Sequence, residues 1–220
     1  LVSCGDDGRT SSTTTTRAGA STTEPARSGT ITVSAAASLT ESFEKIGADF
    51  EKAHPGTTVR FTFDSSKTLA TQIVDGAKVD VYASADEKNT QTLVDAGLVD
   101  GSPTTFARNQ LVIVTQPGNP QGIKTLADLA SVGVVALCGR DVPCGTFATQ
   151  VLDGAGVAID ESKVTRGQNV KATLTAVTEG DAVAGIVYVT DAEAAGDAVE
   201  QVDIPDAQNA VATYPVSVLR

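Results

Sequence analysis

Two hydroxyl-bearing turns stand where a strand-like run gives way to a helical one. The first is Ala35-Ala36-Ala37-Ser38-Leu39-Thr40, after Ile31-Thr32-Val33; the second is Asp64-Ser65-Ser66-Lys67-Thr68-Leu69, after Val59-Arg60-Phe61-Thr62-Phe63. A helix N-terminus offers unpaired backbone N–H groups and the positive end of a dipole. A serine there adds a hydroxyl beside them, so two such turns facing one another would suit a small oxyanion. Leu39, Phe43, Ile46 and Phe50 repeat at helical spacing, and Ser38-Leu39-Thr40-Glu41 reads as a capping box. A capping serine accepts from the backbone and keeps its own hydrogen for a ligand. Two readings of Ser38 therefore stand: a helix cap only, or a cap that is also a donor.

Nucleophilic catalysis by Ser38 or Ser66 is a remote alternative. It needs a base within hydrogen-bond reach. His54 is the single histidine, and it lies at the far end of the helix expected over 38–53. Such a helix is about 24 Å long at 1.5 Å per residue. Lys67 adjoins Ser66, but neighbouring helical residues point apart, and no Gly-x-Ser-x-Gly elbow is present. Two cysteines and one distant histidine do not make a structural zinc site. The expectation is a chain that is no enzyme and holds no cofactor.

These turns belong to a region that starts near Gly29. Before it, Asp6 to Ser28 is Ser, Thr, Gly, Ala and Arg with almost no large apolar residue, which reads as a disordered tether. About 25 such residues reach roughly 25–30 Å. Leu1-Val2-Ser3-Cys4-Gly5 resembles the end of a bacterial lipoprotein signal. That resemblance implies a signal remnant over 1–3, a lipid on Cys4 and a tether over 4–28. No apolar run spans a bilayer. The net charge of −11 argues against nucleic acid and anionic lipid as partners. It does not forbid an anionic ligand held by neutral dipoles, because surface charge is screened within about 10 Å.

Strand and helix patterns alternate from Gly29 onward. Strands are expected over 31–34, 58–63, 79–83, 111–115, 132–137, 185–189 and 212–219. Helices are expected over 38–53, 66–75, 87–96, 126–129 and 145–152, and along Val170, Leu174 and Val177. This is α/β organisation with mainly parallel strands. Two such sets around the apolar run Leu111–Thr115 predict two lobes with a cleft. Further helix starts follow Val142-Pro143-Cys144-Gly145 and Gln168-Asn169-Val170-Lys171, with Asn169 a good cap.

In order and spacing these segments resemble the substrate-binding proteins of bacterial molybdate importers. The match extends from about Gly29 to Arg220. It also includes Asp80-Val81-Tyr82-Ala83-Ser84-Ala85-Asp86, Gly185-Ile186-Val187-Tyr188 and Tyr214-Pro215-Val216. The resemblance implies a type II two-lobed periplasmic-binding-protein fold, with lobe one over 29–110, lobe two over 111–208 and a return strand over 209–220. The family usually continues with C-terminal helices that complete lobe one. It implies capture of molybdate or tungstate outside the cytoplasm and delivery to the membrane permease of an ABC importer, by a monomer. The oxyanion would be held by Ser38 and Ser66 from lobe one, and by the N–H groups of Cys144 and Val170 and the Tyr188 phenol from lobe two. Ala85 would lie beside the pocket.

The chain departs from the family at Cys144, where alanine is usual, and in the charges of Lys67, Arg140 and Asp141 near the turns. If Cys4 carries lipid, Cys138 and Cys144 remain to pair or to stay as free thiols. Export favours the pair, worth roughly 2 kcal/mol for so short a loop. The five contact residues bring no carboxylate, which suits fully deprotonated dianions. Sulfate and phosphate stay as alternatives, phosphate needing an acceptor for its proton.

Overall fold

The computed structural model describes residues 28–220; the tether and Cys4 lie outside the described residues. Among the described residues nine strands form one sheet in the order β2-β1-β3-β9-β4-β7-β5-β6, with β8 also paired to β4. β1 (Gly29–Ala36) runs parallel to β2 (Thr57–Asp64) and to β3 (Val81–Ala83). On the far side β5 (Val135–Cys138) runs parallel to β6 (Val164–Gly167) and β7 (Ala184–Tyr188). These are the two parallel sets, and helices cover them. α1 (Thr40–Ala53), α2 (Ser66–Val74) and α3 (Glu87–Asp95) follow the first three strands, while α4 (Pro143–Gly154), α5 (Val170–Thr178) and α6 (Val189–Ala195) serve the second.

The two sets are joined by antiparallel strands. β4 (Val99–Thr115) pairs with β9 (Val211–Leu219) from Val99 to Gln110, then with β7 and with β8 (Glu200–Asp203) along its last residues. β9 in turn pairs with β3. A strand was expected only over 111–115. Its first half carries no strand pattern because Gly101-Ser102-Pro103 interrupts it, and the pairing there shifts register twice. The second half is a buried continuous apolar run, as are β5 and β7. Strands buried on both faces have this composition. β6, β8 and α6 are short, polar or both, and had no such signal.

The repeat Leu39, Phe43, Ile46 and Phe50 predicts a helix, and α1 forms over it, yet the repeat is not the buried face. Instead α1 buries only Gly47, while Ile46 and Phe50 are exposed. The helix comes so close to β2 that a Cβ at Gly47 would fall 2.5 Å from the Phe61 ring. Close approach through a glycine leaves the larger residues at the margin of the contact, where Phe43 meets Phe61 edge-on at 6.3 Å.

Candidate functional site

Ser38, Ser66, Ala85, Cys144, Val170 and Tyr188 all line one cavity between the two parallel sets. It holds about 220 Å³ free of protein atoms, its open mouth included. The space its walls enclose is far smaller than a cleft for a drug-sized ligand, so it suits a small solute. Ser66 is the first residue of α2, Cys144 the second of α4 and Val170 the first of α5, while Tyr188 ends β7 and leads into α6. The positive ends of α2, α4 and α5 thus meet at one place, drawn from both parallel sets.

Each wall has a local cause. Ser65 caps α2 by accepting from Thr68 N–H at 3.1 Å, which leaves Ser66 facing the cavity. Ser66 Oγ accepts from Ala85 N–H at 2.9 Å. Its hydrogen is therefore available to a ligand, and Ala85 acts by setting that polarity. The capping box expected at Ser38 is not formed. A tight turn, Ala37–Leu39, precedes α1, whose cap position is Leu39 with no side-chain cap bond. Starting α1 at Thr40, with Leu39 in the cap position, frees Ser38 Oγ to meet the Tyr214 phenol at 2.9 Å.

Tyr188 is 1% exposed, and its phenol makes no hydrogen bond of normal length and angle. Burial, then the neighbouring Tyr214, Asp191 and Asp86, push its pKa well above the ordinary phenol value. It stays a neutral O–H donor. A buried unpaired hydroxyl is costly, and this one sits in the wall of a polar cavity.

The α4 turn is closed by a Cys138–Cys144 disulfide, with Pro143 opening the helix. Alkylation without reductant followed by mass spectrometry should leave both cysteines unlabelled; two labelled thiols would contradict the pairing. Asn169 caps α5 through Oδ1 to Ala172 N–H at 3.0 Å, and its Nδ2 donates to Asp64 Oδ1 at 2.8 Å. Asp64 and Asn169 also line the cavity, a role the sequence reading missed. Asp64 Oδ1 is further engaged by Ser65 N–H at 2.7 Å.

The flanking charges are committed to one another at the rim. Lys67 pairs with Asp141 across the cleft, and the Lys67 bond holds the Asp141 carboxyl below its usual range. Arg140 pairs with Glu161 at 2.5 Å. Neither Lys67, Arg140 nor Asp141 lines the cavity. Lys171 reaches across to Glu41 at 2.7 Å and to the fully buried Asp191 at 3.0 Å. Burial lifts Asp191 to about 6, with Lys171 pulling the other way. Folding then takes up a proton between about pH 4 and 6. The stabilisation this group gives is complete below its unfolded value and lost as pH rises through about 6. The Tm of the wild type relative to Asp191→Asn should therefore rise as pH falls from about 7.5 to about 4.5; a gap that ignores pH would refute the assignment.

His54 lies tilted against Phe50, ring centroids 4.3 Å apart, beyond the end of α1 and takes no part in the cavity. Among the described residues no cluster suits a metal ion, and no helix is long and apolar enough to cross a membrane.

Residues 31–220 match the family described as bacterial extracellular solute-binding protein. The chain is 40% identical to molybdate-binding protein ModA of Mycobacterium tuberculosis, over 100% of this chain and 81% of that protein. It is 31% identical to a putative ABC transporter substrate-binding lipoprotein, YvgL of Bacillus subtilis, over 78% of this chain and 67% of that one. The fold is similar to that of the Azotobacter vinelandii periplasmic molybdate-binding protein, with a TM-score of 0.76 at 23% identity, covering 86% of this chain and 85% of that chain. Its function is binding rather than catalysis: the chain belongs to the bacterial extracellular solute-binding protein family.

Proposed function

We propose that this chain captures molybdate, and tungstate alike, outside the cytoplasm and delivers it to the membrane permease of an ABC importer. The observation that carries the reading is the polarity of the cavity. Ser66 is set as a donor by Ala85 N–H, and the Tyr188 phenol is a buried donor with no partner of normal hydrogen-bond geometry among the described residues. The N-termini of α4 and α5 add Cys144 and Val170 N–H groups. A fully deprotonated tetrahedral dianion accepts from all of these and offers no proton that needs an acceptor. The 40% identity to a protein named for molybdate binding supports the same choice. The anion is cargo, and no resident cofactor is needed.

The protein acts as a monomer tethered through lipid on Cys4. The support for the anchor is the run Leu1-Val2-Ser3-Cys4-Gly5 and the likeness to a lipoprotein of an ABC transporter. A second reading, a protonated oxyanion such as hydrogen phosphate, is favoured by one feature only, the Asp64 carboxylate in the cavity wall. Sulfate is the remaining competitor.

Calorimetric titration of the purified chain with molybdate, tungstate, sulfate and phosphate separates these. Molybdate and tungstate should bind much more tightly than the other two. Tight sulfate or phosphate binding without a molybdate response would overturn the proposal.

A further inference from the structure

Tyr214 was singled out in the sequence as part of Tyr214-Pro215-Val216, yet it does not line the cavity. It lies on β9, 1% exposed, with its phenol 2.9 Å from Ser38 Oγ. Either hydroxyl can donate in that bond, and the choice matters. If Ser38 donates to Tyr214, Ser38 turns lone pairs toward the cavity and repels an anion. If Tyr214 donates to Ser38, the serine hydrogen is left for the anion.

A third group decides between them. Asn109 Nδ2 stands 3.5 Å from the Tyr214 oxygen and 2.9 Å from Thr190 Oγ1. Asn109 Oδ1 accepts from Gln110 N–H at 3.0 Å, which fixes which end of the amide faces Tyr214. An amide nitrogen only donates. The contact is long, but its sign is fixed: Tyr214 is approached by a donor and sends its own hydrogen elsewhere. The other neighbouring phenol, Tyr188, makes no hydrogen bond with it of normal geometry, so Ser38 is the acceptor within reach.

We infer that Tyr214 is a positioning residue for ligand capture, the middle of a one-way chain Asn109 → Tyr214 → Ser38 that fixes Ser38 as a donor toward the bound oxyanion. The inference rests on the oxyanion reading of the cavity. It carries a consequence for selectivity. A serine held as a donor favours an anion that only accepts, and disfavours one that must place a proton, such as hydrogen phosphate. The chain therefore works against the acceptor that Asp64, at the end of the neighbouring strand, brings to the same cavity, and selects by polarity rather than by size. It also ties the site to β9, the strand that pairs with both β3 and β4.

The test is a double-mutant cycle read by calorimetry with molybdate and with inorganic phosphate, accompanied by thermal unfolding of each ligand-free protein. Tyr214→Phe keeps the ring and removes the hydroxyl. It should weaken molybdate binding by about tenfold, and lower the preference for molybdate over phosphate, because Ser38 is then free to turn. Ser38→Ala should weaken molybdate binding at least as much. The double variant should bind no worse than Ser38→Ala alone. A merely structural Tyr214 would leave the molybdate-to-phosphate preference unchanged and give losses that multiply, and either result overturns the inference. If Tyr214→Phe does not fold, Asn109→Leu takes its place: it should weaken molybdate binding in the wild-type background and not in Ser38→Ala. Equal effects in both backgrounds would count against the chain. The wild-type titration reports first: no molybdate binding there removes the oxyanion reading and this inference with it. Molybdate binding with a multiplicative cycle removes the inference alone.

Discussion

Gly145→Ala is expected to abolish ligand capture and to lower Tm by several degrees, although the side chain added is one methyl group. A Cβ at position 145 would fall 1.8 Å from the Gly139 carbonyl oxygen, 2.6 Å from its carbon and 3.0 Å from the Cys138 oxygen. All three are backbone atoms, so no side-chain rotation relieves the clash. The segment they belong to is held from several directions. Gly139 N–H donates to Gly167 O at 2.8 Å, Val142 N–H donates to Gly139 O at 3.2 Å, and the Cys138–Cys144 disulfide ties the strand end to the helix start. The α4 N-terminus must therefore move away from β5, and the Cys144 N–H moves with it. Overpacking of this kind costs about 1–3 kcal/mol or more, roughly 2–4 °C of Tm per kcal/mol at this chain length. The effect on binding is larger, because a donor displaced by an ångström no longer reaches the anion. Calorimetry with molybdate and thermal unfolding measure both. Parent-like affinity in a folded Gly145→Ala protein would show that the α4 turn does not contact the ligand.

The same glycine marks what a sequence discloses and what it does not. The start of α2 at Ser66 and the turns leading into α4 and α5 were legible, the α4 start to within two residues, because turn chemistry is local: a serine, a proline or an asparagine before an apolar stripe declares itself within four residues. The buried strands β5 and β7 were legible as unbroken apolar runs. Long-range choices were not. Ser38 looked like a cap, but a tight turn intervenes and its hydroxyl goes to Tyr214, 176 residues away. The Asp64–Asn169 bond spans 105 residues and unites two positions that each read as ordinary turn residues. The exposed half of β4 carries polar residues, a glycine and a proline, and owes its extended form to pairing with β9. In each case the deciding partner is distant in the chain, so no local pattern holds the information.

Tyr188→Phe is expected to move stability and affinity in opposite directions. With the cleft bridged as described, the phenol is buried with no hydrogen-bond partner of normal geometry among the described residues, and such a group left unpaired costs about 1–3 kcal/mol. Phenylalanine keeps the ring, which packs edge-on against Tyr214 at 6.0 Å, and removes the unpaired hydroxyl. The empty protein should melt at the same temperature or a few degrees higher. A hydrogen bond to a charged ligand contributes about 1.5–3 kcal/mol, so molybdate should bind about ten- to a hundredfold more weakly. Ser66→Ala is the contrasting case. Its oxygen already accepts from the buried Ala85 N–H, so alanine leaves that N–H unpaired and should lower Tm and affinity together. The two variants also lie on opposite sides of the cleft, Ser66 after β2 and Tyr188 at the end of β7. Only an arrangement that brings both sides together satisfies all donors, so ligand shifts the population toward the closed form. The bridges Lys67–Asp141, Asp64–Asn169 and Glu41–Lys171 form across that same cleft. Small-angle scattering should show the wild type contracting on saturation with molybdate, and Tyr188→Phe contracting less at the same ligand concentration. A Tyr188→Phe protein that loses thermal stability and keeps its affinity would mean that the phenol is structural and that the anion is held without it.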